Sequence, residues 1–146
     1  MNELRSLIDS VAPQERGGGA PPHASLYPSF ARMSPTAARY VLLAAILPNL
    51  DLHLAKKTLG LDGDKQPYWY NPPAEVKERL RDVVVLDPFA GGGSIPMEAA
   101  RLGAHAVAVE YNPVQWLALK TIQLARERGK ELIDPRAWET LKKRYR

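Results

Sequence analysis

Val83 to Ser94 reads VVVLDPFAGGGS, and this stretch decides the fold. Val83, Val84, Val85 and Leu86 form a continuous apolar run of mostly β-branched residues. Such a run marks a strand covered on both faces, as in a parallel sheet. The three glycines that follow allow a sharp turn and a close approach of another molecule to the backbone. Ile95 to Leu102 then reads as a helix, with Pro96 in its first turn and Gly103 at its end. A strand that leaves a glycine turn as a helix presents free helix N–H groups at the strand's C-terminal end. In open α/β sheets, ligands settle in the crevice at that end.

Working outward, Ala106 to Val109 reads as a second buried strand, closed by Glu110. Pro113 to Arg128 reads as a long helix ended by Gly129, and Asp134-Pro135 opens a last helix. The order strand, helix, strand, helix is the opening of a doubly wound sheet. Upstream, Ala74 to Arg81 is a short charged helix, and Leu61 to Pro73 is a polar, aromatic loop. Leu50 to Leu59 is a short helix with Gly60 as its stop. Ser34 supplies a capping hydroxyl before Pro35, which suits a first helical position. The nearly apolar run Ala37 to Leu47 continues that helix until Pro48 and Asn49 break it. Met1 to Ala12 has helical spacing, and Pro13 to Pro22 reads as a flexible connector.

The expected fold is therefore α/β: a partial Rossmann-like parallel sheet preceded by N-terminal helices. Residues 1–22 form a helix and a Gly/Pro linker. Residues 23–146 form a helical lead-in and a truncated βαβα unit. No internal repeat is visible.

The 146 residues suffice for one domain with a core. Without cysteine, a disulfide framework or thiolate zinc site is excluded, and His23, His53 and His105 are too far apart for a local metal cluster. No metal is expected. The longest apolar stretch, Tyr40 to Leu47, is far short of the roughly 20 residues that cross a bilayer. Residues 1–12 lack the basic start and apolar run of a secretory signal. A soluble, cytoplasmic protein with no membrane partner is expected. The net charge of +4 suits an anionic partner such as nucleic acid. Lys142, Lys143, Arg144 and Arg146 around Tyr145 could touch phosphates, although cations also suit the last turn of a helix.

Two familiar glycine loops do not fit. A dinucleotide fingerprint needs G-x-G-x-x-G, and counting from Gly91 its third glycine position holds Pro96. A phosphate-cradling P-loop ends in Gly-Lys-Ser/Thr, and this loop has no lysine. Glu110, at the end of the next strand, can accept hydrogen bonds from two ribose hydroxyls, as the acid of dinucleotide folds does.

Asp87 to Ser94 resembles the D-P-F-x-G-x-G motif of amino-methyltransferases that act on DNA bases. Asp87 to Val114 as a whole is similar to large adenine-specific DNA methylases of the DUF1156 type, in which DPFAGGGSIP-EA-RLG is followed by an acid and NPV. The resemblance is tight here and weaker elsewhere in the chain. It implies S-adenosylmethionine as cofactor and DNA as partner. Asp87, Phe89, Gly91 and Gly93 would line the site for the methionine part, with Asp87 meeting its ammonium group, and Ala90 and Ser94 of the same loop would also be cofactor-binding. Glu110, Tyr111 and Asn112 would form the second motif. His23 to Pro35 resembles the segment before the glycine loop in such enzymes, with Phe30, Arg32, Met33 and Pro35 at matching positions. Arg32 could approach the cofactor carboxylate; Tyr27 and Phe30 could equally anchor a loop to the core.

Methylation of an exocyclic amine also needs the base extruded and held. In the family an Asp/Asn/Ser-Pro-Pro-aromatic loop does this. Asn71-Pro72-Pro73 is followed by Ala74 and precedes the first strand, so it reads better as a turn that starts a helix. Catalytic residues are therefore left unassigned. Because family members resemble a sheet of roughly seven strands, the chain reads as a fragment, a truncated gene product or one piece of a split enzyme. A partner chain would complete the fold. A non-enzymatic interaction subunit and a fragment of an RNA methyltransferase are the alternatives.

Overall fold

The computed structural model describes residues 33–61 and 71–128, together with Ser6 and Asp9. Apart from Ser6 and Asp9, the helix expected over residues 1–12 lies outside the described residues, as do the connector, the domain boundary at residue 22, the last helix expected from Asp134 and the basic tail.

Helix α1 spans Pro35–Ile46. Ser34 is extended and its Oγ accepts the Ala37 N–H at 3.1 Å, with Pro35 entering the first turn, as the Ser-Pro pair predicts. Helix α2, Leu52–Leu59, is capped by Asp51, whose carboxylate accepts the Leu54 N–H, and ends at Gly60 in the left-handed region. Helix α3, Ala74–Leu80, follows Pro73 directly. The short strands β1, Val84–Asp87, and β2, His105–Ala108, flank helix α4, Ser94–Leu102. Helix α5 is Pro113–Arg128. Each of these elements begins within a residue or two of its expected place.

The described part is α/β, with five helices and a two-stranded sheet. The strands are parallel, with Val84 opposite His105 and Leu86 opposite Val107. Both strands feed their C-terminal ends towards the glycine loop. Helix α4 is the central element: it packs on both strands, on α1 and on α3. The core accordingly gathers Leu42 and Leu43 of α1, Leu59 of α2, Val76 and Leu80 of α3, and Ala99 and Leu102 of α4. Gly103 ends α4 at a φ of 104°, and a Cβ there would lie 2.8 Å from the Lys77 carbonyl oxygen. The glycine thus lets α3 pack against the end of α4.

Among the described residues, the strands are covered on one face only. Side chains alternate across a strand. Val85 and Ala106 pack beneath α4, whereas Val84 and Leu86 are 65% and 62% exposed and Val107 is 47% exposed. Helix α4 covers one face, and among the described residues no element packs on the other. The apolar run is the same for a strand covered once or twice, so periodicity could not separate the two cases. Helix α1 is likewise one-sided, with Val41 exposed. No helix of the described residues is long and apolar enough to cross a membrane.

Candidate functional site

The glycine loop begins where β1 ends. One carboxylate oxygen of Asp87 accepts the Phe89 N–H at 3.2 Å, a local turn typical of aspartate. The loop is then laced to the end of β2. Val109 N–H donates to the Asp87 carbonyl and Ala90 N–H to the Val109 carbonyl, each at 2.9 Å. Gly93 N–H closes a tight turn onto the Ala90 carbonyl at 2.7 Å. Gly91 and Gly93 have φ of 49° and 77°, values that side chains other than glycine adopt at a cost. Gly93 is also the residue from which α4 starts.

Glu110 binds this loop. Its Oε2 accepts the Gly91 N–H at 2.6 Å and its Oε1 accepts the Asn112 N–H at 2.7 Å. The expected role was acceptance from ribose hydroxyls; the observed partners are two backbone amides. A carboxylate offers about four acceptor positions, so each oxygen keeps one lone pair. Asn112 in turn caps α5, its Oδ1 accepting the Val114 N–H at 2.9 Å.

The other expected site residues divide into anchored and free. Ala90 is buried, and Ser94 donates its hydroxyl to the Met33 carbonyl at 2.7 Å. Phe89 and Tyr111 present their rings to solvent, Phe89 at 89% exposure. Arg32, Phe30 and Tyr27 lie outside the described residues, but Met33 brings the end of their segment to the loop. Asp87, Gly91, Gly93 and Glu110 therefore meet at the C-terminal end of the strands. Asn71-Pro72-Pro73 is not among them. The Pro73 carbonyl accepts the Val76 and Lys77 N–H groups as α3 begins, and Lys77 lies against Gly103 where β2 is about to start.

Unspent acceptor capacity remains at this site. Asp87 is half-buried and spends one oxygen on the turn, leaving a carboxylate for an ammonium group. A Cβ on Gly91 would meet only the Phe89 carbonyl oxygen, at 3.9 Å, so a ligand has room beside that backbone. Glu110 retains acceptor capacity for a diol. No group of three or more His, Asp or Glu side chains able to hold a metal occurs among the described residues.

Two features escaped sequence reasoning. Arg39 and Glu98 form a buried ion pair, Nε to Oε2 at 2.7 Å; an arginine in an apolar helix and a glutamate four residues into another gave no sign of meeting. A cleft of about 600 Å³ opens between α4, β2 and α5, with Ala104, Ala106, Trp116, Leu119, Glu110 and Lys120 in its walls. It exists because α5 stands off from the sheet and buries none of its residues. Scans of the chain against protein-family models, curated proteins and solved structures return no match.

Proposed function

We propose that this chain supplies the S-adenosylmethionine-binding part of a Rossmann-like DNA adenine-N6 methyltransferase. A further chain or segment would supply the loop that holds the target amine. The observation that carries the reading is the hydrogen bond from Gly91 N–H to Glu110. It ties the glycine loop after β1 to the acid after β2, so the two carboxylates and the glycine backbone that this reading requires lie together at the C-terminal end of the strands.

Bound S-adenosylmethionine supplies a methyl group on a sulfonium, which an amine can attack. The residues here bind and orient. Asp87 accepts the ammonium group, Gly91 and Gly93 let the methionine chain lie against the backbone, and Glu110 accepts the ribose hydroxyls. The exposed rings of Phe89 and Tyr111 offer apolar surface beside the nucleoside. The basic net charge favours a polyanionic substrate.

Calorimetric titration with S-adenosylmethionine tests the reading. The intact chain is expected to give saturable heat, and Asp87→Ala to raise Kd at least tenfold, about 1.4 kcal/mol. Equal heat from both proteins, or none from a well-folded chain, overturns it.

A second reading, a non-enzymatic subunit that docks to a larger chain, is favoured by the exposed Val84, Leu86 and Val107. Parallel sheets are ordinarily covered on both faces, and free strand edges recruit partners. Light scattering separates the two: a strictly monomeric protein with no co-purifying chain speaks against docking.

A further inference from the structure

We propose that the buried Arg39–Glu98 ion pair is a positioning device for the glycine loop, holding α4 in register against the helices that precede the sheet. Arg39 is fully buried and Glu98 nearly so. The Arg39 Nε donates to Glu98 Oε2 at 2.7 Å, and its Nη1 donates to the Thr58 carbonyl, at the end of α2, at 3.0 Å. The other Glu98 oxygen accepts from Arg101 at 3.3 Å. One guanidinium therefore ties α1, α2 and α4 together.

The position of Glu98 gives this tie its consequence. It lies about one helical turn after Ser94, and Ser94 is itself bonded to the Met33 carbonyl at the start of α1. The two ties run in the same direction along both helices, so α1 and α4 lie side by side with their N-termini at the loop. Apolar attraction is non-directional, and the buried Ala38 and Ala99 of these helices are small. The planar guanidinium holds its donors in fixed directions, and it reaches the Glu98 carboxylate and the Thr58 carbonyl at once. A slip of α4 by one residue would shift its first residue by about 1.5 Å and displace Gly93, from which α4 starts and whose N–H closes the loop's turn onto the Ala90 carbonyl. Buried ion pairs contribute little net stability compared with apolar residues of the same size. What the pair contributes here is register.

The proposal rests on the cofactor reading only for its ligand measurement, so the test has two readouts. Amide hydrogen exchange at residues 91–94 and S-adenosylmethionine titration are compared in the intact chain and in three variants. Glu98→Gln keeps the shape and removes the charge. A double variant, Arg39→Met with Glu98→Met, replaces the pair by apolar side chains. Val76→Ala, fully buried on α3, is the control for stability loss alone. The expected result is at least tenfold faster exchange at residues 91–94 in the double variant, with thermal stability near that of the intact chain, and a smaller acceleration in Glu98→Gln. Val76→Ala should accelerate exchange only as far as its lost stability accounts for. Wherever cofactor heat is seen, its Kd should rise in step with loop exchange. Loop exchange unchanged in every folded variant, or changed only in proportion to stability as in Val76→Ala, overturns the proposal. An intact chain that binds no S-adenosylmethionine yet follows the expected exchange pattern keeps the positioning role and overturns the cofactor reading.

Discussion

A carboxylate at a strand end ordinarily faces water, yet both oxygens of Glu110 are taken by backbone amides, those of Gly91 and Asn112. That pairing fixes where the glycine loop lies relative to β2. Hydrogen bonds to a charged acceptor are stronger than neutral ones, contributing roughly 1.5–3 kcal/mol each when buried. Glu110 is only half-buried, so the lower end applies. Glu110→Gln leaves one oxygen to accept and turns an amide NH₂ towards the other N–H donor. It is expected to lower unfolding free energy by about 1–2 kcal/mol, read as a lower urea midpoint with an unchanged slope. Asp87 works differently, since its carboxylate serves a local turn and remains half-exposed. Asp87→Ala should therefore show its main effect in ligand binding and little in stability.

Among the elements, α4 carries the greatest constraint. It starts from a left-handed glycine, ends at another, and packs on both strands and two helices. Its closing glycine is the less forgiving of the two ends, because its neighbour is backbone. A Cβ on Gly103 would press on the backbone of Lys77, with its carbonyl oxygen at 2.8 Å and its Cα at 2.9 Å, and backbone cannot rotate away as a side chain can. At Gly93 the collision would be with the flexible ends of Leu119 and Met97. Gly103→Ala combines left-handed strain of about 1–2 kcal/mol with overpacking of about 1–3 kcal/mol. It is expected to be the more destabilising of the two alanine substitutions, as thermal denaturation of both variants would measure. Helix α5 is the opposite case: with no buried residue, it tolerates exposed substitutions such as Thr121→Ala.

At the scale of the whole molecule, the described elements dress the sheet on one side. Val84, Leu86 and Val107 line up on the uncovered face, because the parallel register sets Leu86 beside Val107. An exposed apolar face of this kind binds environment-sensitive apolar dyes. The folded chain is expected to enhance the fluorescence of such a dye, and Leu86→Lys with Val107→Lys to remove most of that enhancement without changing far-UV circular dichroism. Unchanged enhancement would mean that this face is covered in solution. The sequence by itself determined the element order, the Ser34 and Gly103 helix ends, and the meeting of Asp87, Gly91 and Gly93, because each depends on residues adjacent in the chain. It also indicated Glu110, since a parallel βαβ unit must return its second strand beside the first. Only the tertiary structure decided that the described elements leave one sheet face open, that Glu110 grips the loop through backbone amides, and that Arg39 meets Glu98. Those features arise from contacts between segments far apart in the chain, and hydrophobic periodicity carries no information about which distant polar group a side chain will reach.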